Sequence, residues 1–139
     1  MRFVPLSLAL LALCSAWSAW QWLRPYDPNN DSPWQIDSVT VKRDHQFAWF
    51  EIELSRKDDA PIAHPPLTRL VSDQQTALPP ADARLSADSH HAQVRFWLDW
   101  PVTAQGWMLD VENFSLRVKS PAEISLDPTQ QRRYRHSQW

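Results

Sequence analysis

The stretches FAWFEIEL (residues 47–54) and AQVRFWLDW (residues 92–100) decide the fold, because apolar and polar side chains alternate along both of them. A period of two is typical of a β-strand with one buried face and one solvated face. Each stretch is therefore predicted to be a strand whose apolar face packs into a core. The residues on these apolar faces are Ala48, Phe50, Ile52, Leu54, Ala92, Val94, Phe96, Leu98 and Trp100.

Five further segments show the same alternation, and turn-forming residues separate them. They are residues 39–42, 67–72, 83–87, 107–111 and 114–118. Seven short strands within residues 34–120 predict an all-β domain, a single antiparallel β-sandwich of immunoglobulin-like type. A small β-barrel would give the same pattern. The proline-rich stretches 60–66 and 78–81 fit edge or crossover segments, because proline cannot donate to a ladder.

The N-terminal segment, residues 1–24, is predicted to be a signal anchor that forms one transmembrane helix. Residues 3–23 carry no charge, and this run is about as long as the ~20 residues that cross a bilayer core. Four aromatic residues at its end resemble an interfacial belt: Trp17, Trp20, Trp22 and Tyr26. Two other interpretations are a cleaved signal peptide, with small residues near Ala16 and Ser18, and a lipobox that leads to acylation of Cys14.

The segment between anchor and domain, residues 25–33, is rich in proline, asparagine and aspartate and is predicted to be a linker of at most ~30 Å. Arg2 and the terminal amine precede the anchor, whereas Arg24 follows it with Asp27 and Asp31 close behind. Positive-inside counting then predicts an inner-membrane, single-pass protein with its C-terminal domain on the periplasmic side.

Composition excludes several classes of protein. The chain has 14 Lys+Arg against 16 Asp+Glu, which argues against a nucleic-acid partner because such domains are clearly basic. A single cysteine excludes a disulfide framework and a multi-cysteine metal site. A single glycine excludes phosphate-binding and dinucleotide-binding loops, which need several glycines.

Three aromatic residues, Phe47, Trp49 and Trp97, fall off the core phase of the predicted strands. We predict that they cluster on one outer surface, where they are either covered by a proline-rich crossover or bind a partner. Tryptophan anchors dominate interface hot spots, and Arg95 beside Trp97 offers a cation–π or hydrogen-bonding group. Stacking of the rings on sugars is a further alternative.

Catalytic and metal chemistry find little support in the sequence. Neighbouring strand residues point to opposite faces, so His90 and His91 share one metal only if they lie in a loop. The carboxylates Glu51 and Glu53 fall on the polar phase of a strand, which surface solvation explains. We therefore expect no enzyme, no cofactor, no catalytic residue and no metal ligand.

The C-terminal segment, residues 121–139, has no strand pattern after Leu126 and is predicted to be a polar tail. One interpretation is a disordered, solubilising tail. The other is a docking peptide that partner proteins or anionic lipids would order through its basic and aromatic residues: Arg132, Arg133, Tyr134, Arg135 and Trp139.

Together these observations predict a non-catalytic accessory or scaffold subunit of an inner-membrane complex. Its partners would be integral membrane subunits and the lipid bilayer. The alternative is an exported or lipid-anchored module that binds a glycan or a metal ion.

Overall fold

The computed structural model describes residues 4–139 and shows one N-terminal helix followed by nine strands. The first three residues of the predicted anchor, with Arg2, lie outside the described residues. The elements are α1 (Val4–Leu23), β1 (Trp34–Asp44), β2 (Phe47–Arg56), β3 (Thr68–Val71), β4 (Ala77–Leu78), β5 (Asp82–Leu85), β6 (His91–Asp99), β7 (Met108–Val111), β8 (Phe114–Arg117) and β9 (Gln131–Tyr134).

The strands form two antiparallel sheets. One has five strands in the order β5-β6-β2-β1-β9, and the other has four in the order β4-β3-β7-β8. Their apolar faces form one core, an arrangement consistent with a β-sandwich. The chain is thus mostly β, as the period-two pattern predicts, and β4 and β9 add to the seven predicted strands.

The core consists mainly of the in-phase side chains of both sheets, joined by Tyr26, Ile62 and Leu126 from outside the strands. Phe50 of β2 and Phe96 of β6 lie directly opposite each other and are fully buried, and Leu70, Leu109 and Leu116 of the second sheet are buried as well. Each such side chain contributes roughly 1.5–3 kcal/mol when it leaves water. The core therefore follows from the alternation that predicts the strands.

Strand β1 contains a register shift between Ile36 and Ser38. A bulge places two residues of one strand opposite one residue of the other, so the side-chain phase changes there. Trp34 and Ile36 before the bulge and Val39 and Val41 after it are all buried. The strand thus begins five residues before the alternating segment that the sequence reveals.

Residues before β1 belong to the β domain and are not a free linker. Tyr26 is 3% exposed, and its hydroxyl donates to the main-chain oxygen of Tyr134 at 3.2 Å. Ser32 is buried and caps the start of β1 by accepting from the amide of Trp34 at 3.0 Å. This corrects the expectation that Tyr26 belongs to the interfacial belt.

The C-terminal segment is also folded, which corrects the expectation of a strandless tail. Strand β9 pairs with β1, with Val39 opposite Tyr134 and Val41 opposite Arg132. The alternation is hidden because β9 is a short edge strand on which Arg132 takes a core-phase position. Residues 131–134 thus form one edge strand of the five-stranded sheet.

Helix α1 contains the segment Pro5–Leu23, which is long and apolar enough to cross a membrane and is the candidate span among residues 4–139. From Pro5 to Leu23 its side chains are exposed except that of Gln21, which is half-buried, and the exposed ones include Trp17, Trp20 and Trp22. These three tryptophans lie on the C-terminal half of α1, where the predicted belt places them.

Candidate functional site

Three aromatic side chains pack against one another on the outer face of the five-stranded sheet. Trp49 of β2 and Trp97 of β6 are direct cross-strand neighbours, with ring centroids 4.2 Å apart and planes at 87°. Phe47 lies diagonally across from Trp97, with ring centroids 4.6 Å apart. We call Phe47, Trp49 and Trp97 the aromatic patch.

The aromatic patch faces solvent. Phe47 is 39% exposed and Trp97, which contacts both other rings, is 40% exposed, while Trp49 is half-buried. The predicted clustering on one outer surface is therefore confirmed, and the proline-rich crossovers leave the surface accessible. Edge-to-face contacts of this kind contribute about 0.5–1.5 kcal/mol beyond simple burial. The rings accordingly form a preorganised surface.

Charged residues continue the same face along the strands. Arg95 lies opposite Glu51, and its Nε is 2.8 Å from a carboxylate oxygen of Glu51. The other carboxylate oxygen accepts from the amide of Gln93 at 2.7 Å. Among residues 4–139 the cation–π contacts join Arg43 to Trp100, Arg56 to Trp34 and Lys119 to Trp139. The described partner of Arg95 is thus a carboxylate.

Glu53 connects the face to the C-terminal strand. A carboxylate oxygen of Glu53 accepts from Ser38 Oγ and from the guanidinium of Arg133, each at 2.6 Å. Arg133 lies opposite Thr40 in the β1–β9 pair and so points to the outer face. Arg133 is therefore engaged within the domain, on the side of the sheet that carries the aromatic patch.

The two aromatic residues of the C-terminal segment pack onto the domain itself. Tyr134 and Trp139 stack at a centroid distance of 3.9 Å, and Trp139 Nε1 donates to the carbonyl of Val118 at 3.0 Å. Both rings lie against the hydrophobic core. The sequence-based expectation that a partner must order them is thus corrected, since their own domain does so.

Lys119 is a buried residue that sequence reasoning missed. It is 2% exposed, its ammonium donates to the main-chain oxygen of Trp139 at 2.6 Å, and it lies 4.7 Å from the ring centroid. Burial lowers the pKa of Lys119. The sequence does not predict this burial, because Lys119 follows the end of β8 and continues the polar phase of that strand.

A cleft of about 460 Å³ lies where α1 meets the β domain. The ring of Trp22 contacts His136 edge-to-face at 5.6 Å, and Tyr134, Trp139 and Arg132 line the same cleft. Burial and the charge of Arg24 lower the pKa of His136. We call this cleft the junction cleft; nothing in the local sequence pattern predicts it, because it joins residues far apart in the chain.

Three other histidines, His45, His90 and His91, lie close to surface carboxylates. Nδ1 of His91 is 3.3 Å from the carboxylate of Asp37, to which Ser55 Oγ donates at 2.9 Å. Ser55 therefore donates to the carboxylate and not to the imidazole, so Ser55 and His91 do not form a serine–histidine nucleophile pair. Within residues 4–139, no three His, Cys, Asp or Glu side chains come together as a metal-binding group.

Comparisons with protein-family models, with curated proteins and with solved structures found no match to this chain.

Proposed function

We propose that this protein is a non-catalytic, membrane-anchored accessory or scaffold subunit of an inner-membrane complex, and that the aromatic patch contacts an integral membrane subunit of that complex. The observation that carries the proposal is the aromatic patch itself. Three rings that pack on each other remain open to solvent on two long central strands. Rigid aromatic residues of this kind are enriched at interface hot spots.

The charged surroundings of the patch support a protein partner. The Glu51–Arg95 pair lies beside Trp49 and Trp97 on the same face and has the polar character of an interface rim. Strands β2 and β6 are each paired with a neighbour on both sides, so the patch is already ordered. Binding a partner therefore costs little conformational entropy. A preformed surface therefore gives affinity without rearrangement of the fold.

The short connection to α1 restricts the choice of partner. Leu23 ends the helix and Tyr26 is already buried in the β domain, so at most ~11 Å of chain separates them. A domain held this close to a bilayer meets the extramembrane parts of other membrane proteins first. We propose that the domain lies on the periplasmic side, because the segments that flank the helix differ in charge.

The test is co-purification of the full chain from native membranes in mild detergent. Trp49→Thr combined with Trp97→Thr removes two of the three rings of the patch and keeps residues with high β-propensity. Leu67→Thr combined with Phe114→Thr is the matched control, because both are exposed apolar residues lining one groove outside the patch. We expect the patch variant to lose a co-migrating membrane protein at least tenfold and the control to retain it.

Equal recovery of all membrane proteins with both variants would show that the aromatic patch is not part of the interface. Thermal unfolding of each variant shows whether the fold is intact. A wild-type chain that migrates alone in several mild detergents would contradict the subunit proposal as a whole.

A glycan-binding module is the second candidate, and one observation favours it. Trp49 borders a cleft of about 200 Å³ that Glu51, Arg95 and Lys42 also line. An aromatic ring beside charged hydrogen-bonding groups suits a sugar ring. Binding of soluble oligosaccharides to the wild type, abolished by Trp49→Thr and retained by the Leu67→Thr, Phe114→Thr control, would favour this function over the first.

We also propose that the sandwich is immunoglobulin-like. The order β1-β2-β6-β5 within one sheet corresponds to strands A-B-E-D, and β3-β7-β8 in the other corresponds to C-F-G. In this scheme β4 is an added strand beside C, and β9 is an added strand beside A. An experimental structure with this strand order and connectivity is the test.

A further inference from the structure

The junction cleft lies at the point where α1 would leave a bilayer. Trp22, one residue before the end of α1, contacts His136, two residues after the end of β9. If α1 crosses the hydrocarbon core, the C-terminal end of the helix and everything packed on it lie among the lipid headgroups. The cleft therefore opens where headgroup phosphates are concentrated.

The lining of this cleft combines aromatic and cationic groups. Trp22, Tyr134 and Trp139 provide rings, and Arg132 and the buried Lys119 provide positive charge. Glu123 is the acidic residue in the lining. Trp22 also borders a second cleft, of about 320 Å³, which Arg133 and Arg135 line. Cationic groups thus surround the end of the helix.

Within residues 4–139, five arginines form ion pairs with carboxylates, whereas Arg43, Arg117 and three arginines near this junction do not. Arg56, Arg69, Arg84, Arg95 and Arg133 each pair with a carboxylate. Within residues 4–139, Arg24, Arg132 and Arg135 form no such ion pair. Unpaired guanidinium groups are strong binders of phosphate, because their planar donors match its oxygens.

We propose that the junction cleft binds the headgroup of an anionic phospholipid. The phosphate accepts hydrogen bonds from Arg132, with Arg24 and Arg135 nearby, and the acyl chains lie along the exposed apolar surface of α1. The bound lipid orients the β domain on the membrane surface. This inference shares with the proposed function only the membrane-spanning role of α1.

Native mass spectrometry of the full chain in dodecyl maltoside tests the proposal. The protein is incubated with equimolar dioleoyl phosphatidylglycerol and dioleoyl phosphatidylcholine, which share acyl chains and differ in net headgroup charge. We expect preferential retention of one phosphatidylglycerol. Arg132→Gln combined with Arg135→Gln should weaken that retention about 25-fold, because each surface cation contributes about fivefold.

Arg69→Gln combined with Arg84→Gln is the charge-matched control, because both side chains are exposed and form ion pairs away from the junction. We expect the control to keep the wild-type preference. Equal retention of the two lipids by the wild type, or an unchanged preference in the Arg132→Gln, Arg135→Gln variant, would overturn the proposal. These outcomes are independent of whether the aromatic patch binds a protein.

Discussion

Tyr134 and Trp139 stack face to face, with ring centroids 3.9 Å apart and ring planes 10° apart. Trp139 also approaches Phe50 at 6.1 Å, so the C-terminal residue of the described chain reaches the central core. We therefore expect Trp139→Ala to destabilise the domain by about 2 kcal/mol or more, and to lower Tm by on the order of 10 °C.

Thermal unfolding followed by near-ultraviolet circular dichroism measures this effect. Arg135→Ala is the matched control from the same segment, since Arg135 is exposed, and we expect its Tm to change little. An unchanged Tm for Trp139→Ala would show that the C-terminal segment is not part of the folded domain.

Tyr26 is predicted to make the stability depend on alkaline pH. Burial raises the pKa of the Tyr26 phenol above its ordinary value of 10.0. Above pH 10 the unfolded chain loses this proton while the folded chain retains it, so stability is full below pH 10 and falls as the pH rises further. Urea unfolding of the wild type at pH 9 and pH 11 should show this loss.

Tyr26→Phe removes the titrating group and is the informative variant. At neutral pH it loses the hydrogen bond to Tyr134, which costs about 1 kcal/mol. Between pH 9 and pH 11, however, its stability should fall less than that of the wild type. Parallel pH profiles for the two proteins would indicate that the Tyr26 hydroxyl is accessible to water.

The sequence predicts most strands because alternation is a local property. It misses the start of β1, because the bulge at Asp37 changes the phase of the alternation. Trp34 and Ile36 precede the shift and Val39 and Val41 follow it, so no single period connects them. The sequence does not predict strand β9, for a different reason. Edge strands are short and largely solvated, so QRRY carries no apolar alternation, and its place depends on pairing with β1.

The aromatic patch could be predicted, but the junction cleft could not. An off-phase aromatic residue on a strand must lie on the outer face, so Trp49 and Trp97 are recognisable without knowledge of the register. The contact between Trp22 and His136 depends on long-range packing between the helix end and the segment after β9. Lys119 is similar, because its burial depends on residues 137–139 folding over it.

The aromatic patch should show energetic coupling between its central residues. Trp49→Ala and Trp97→Ala each remove one ring from a contact of 4.2 Å. In a double-mutant cycle we expect a coupling free energy of about 0.5–1.5 kcal/mol, the range for edge-to-face aromatic pairs. The measurement is the free energy of unfolding in urea for the wild type, both single variants and the double variant.

A cycle between Trp97 and Phe114, which lie on different sheets, provides the comparison for that coupling. We expect the two effects to add within about 0.5 kcal/mol. A coupling no larger for Trp49 and Trp97 than for this distant pair would mean that the two rings do not hold each other in place in solution.

Helix α1 should remain on the mature protein as a membrane anchor. Its segment Pro5–Leu23 is long enough to span a bilayer, and Trp17, Trp20 and Trp22 are exposed on its C-terminal half. We expect the intact mass of the detergent-extracted protein to include α1, and alkaline carbonate washes to leave the protein in the membrane pellet.

With the proposed topology, external protease should degrade the β domain in spheroplasts and spare it in inverted vesicles. A mature chain that begins between Ala16 and Gln21, or a diacylglyceryl group on Cys14, would contradict the anchor, and the opposite protease pattern would reverse the orientation.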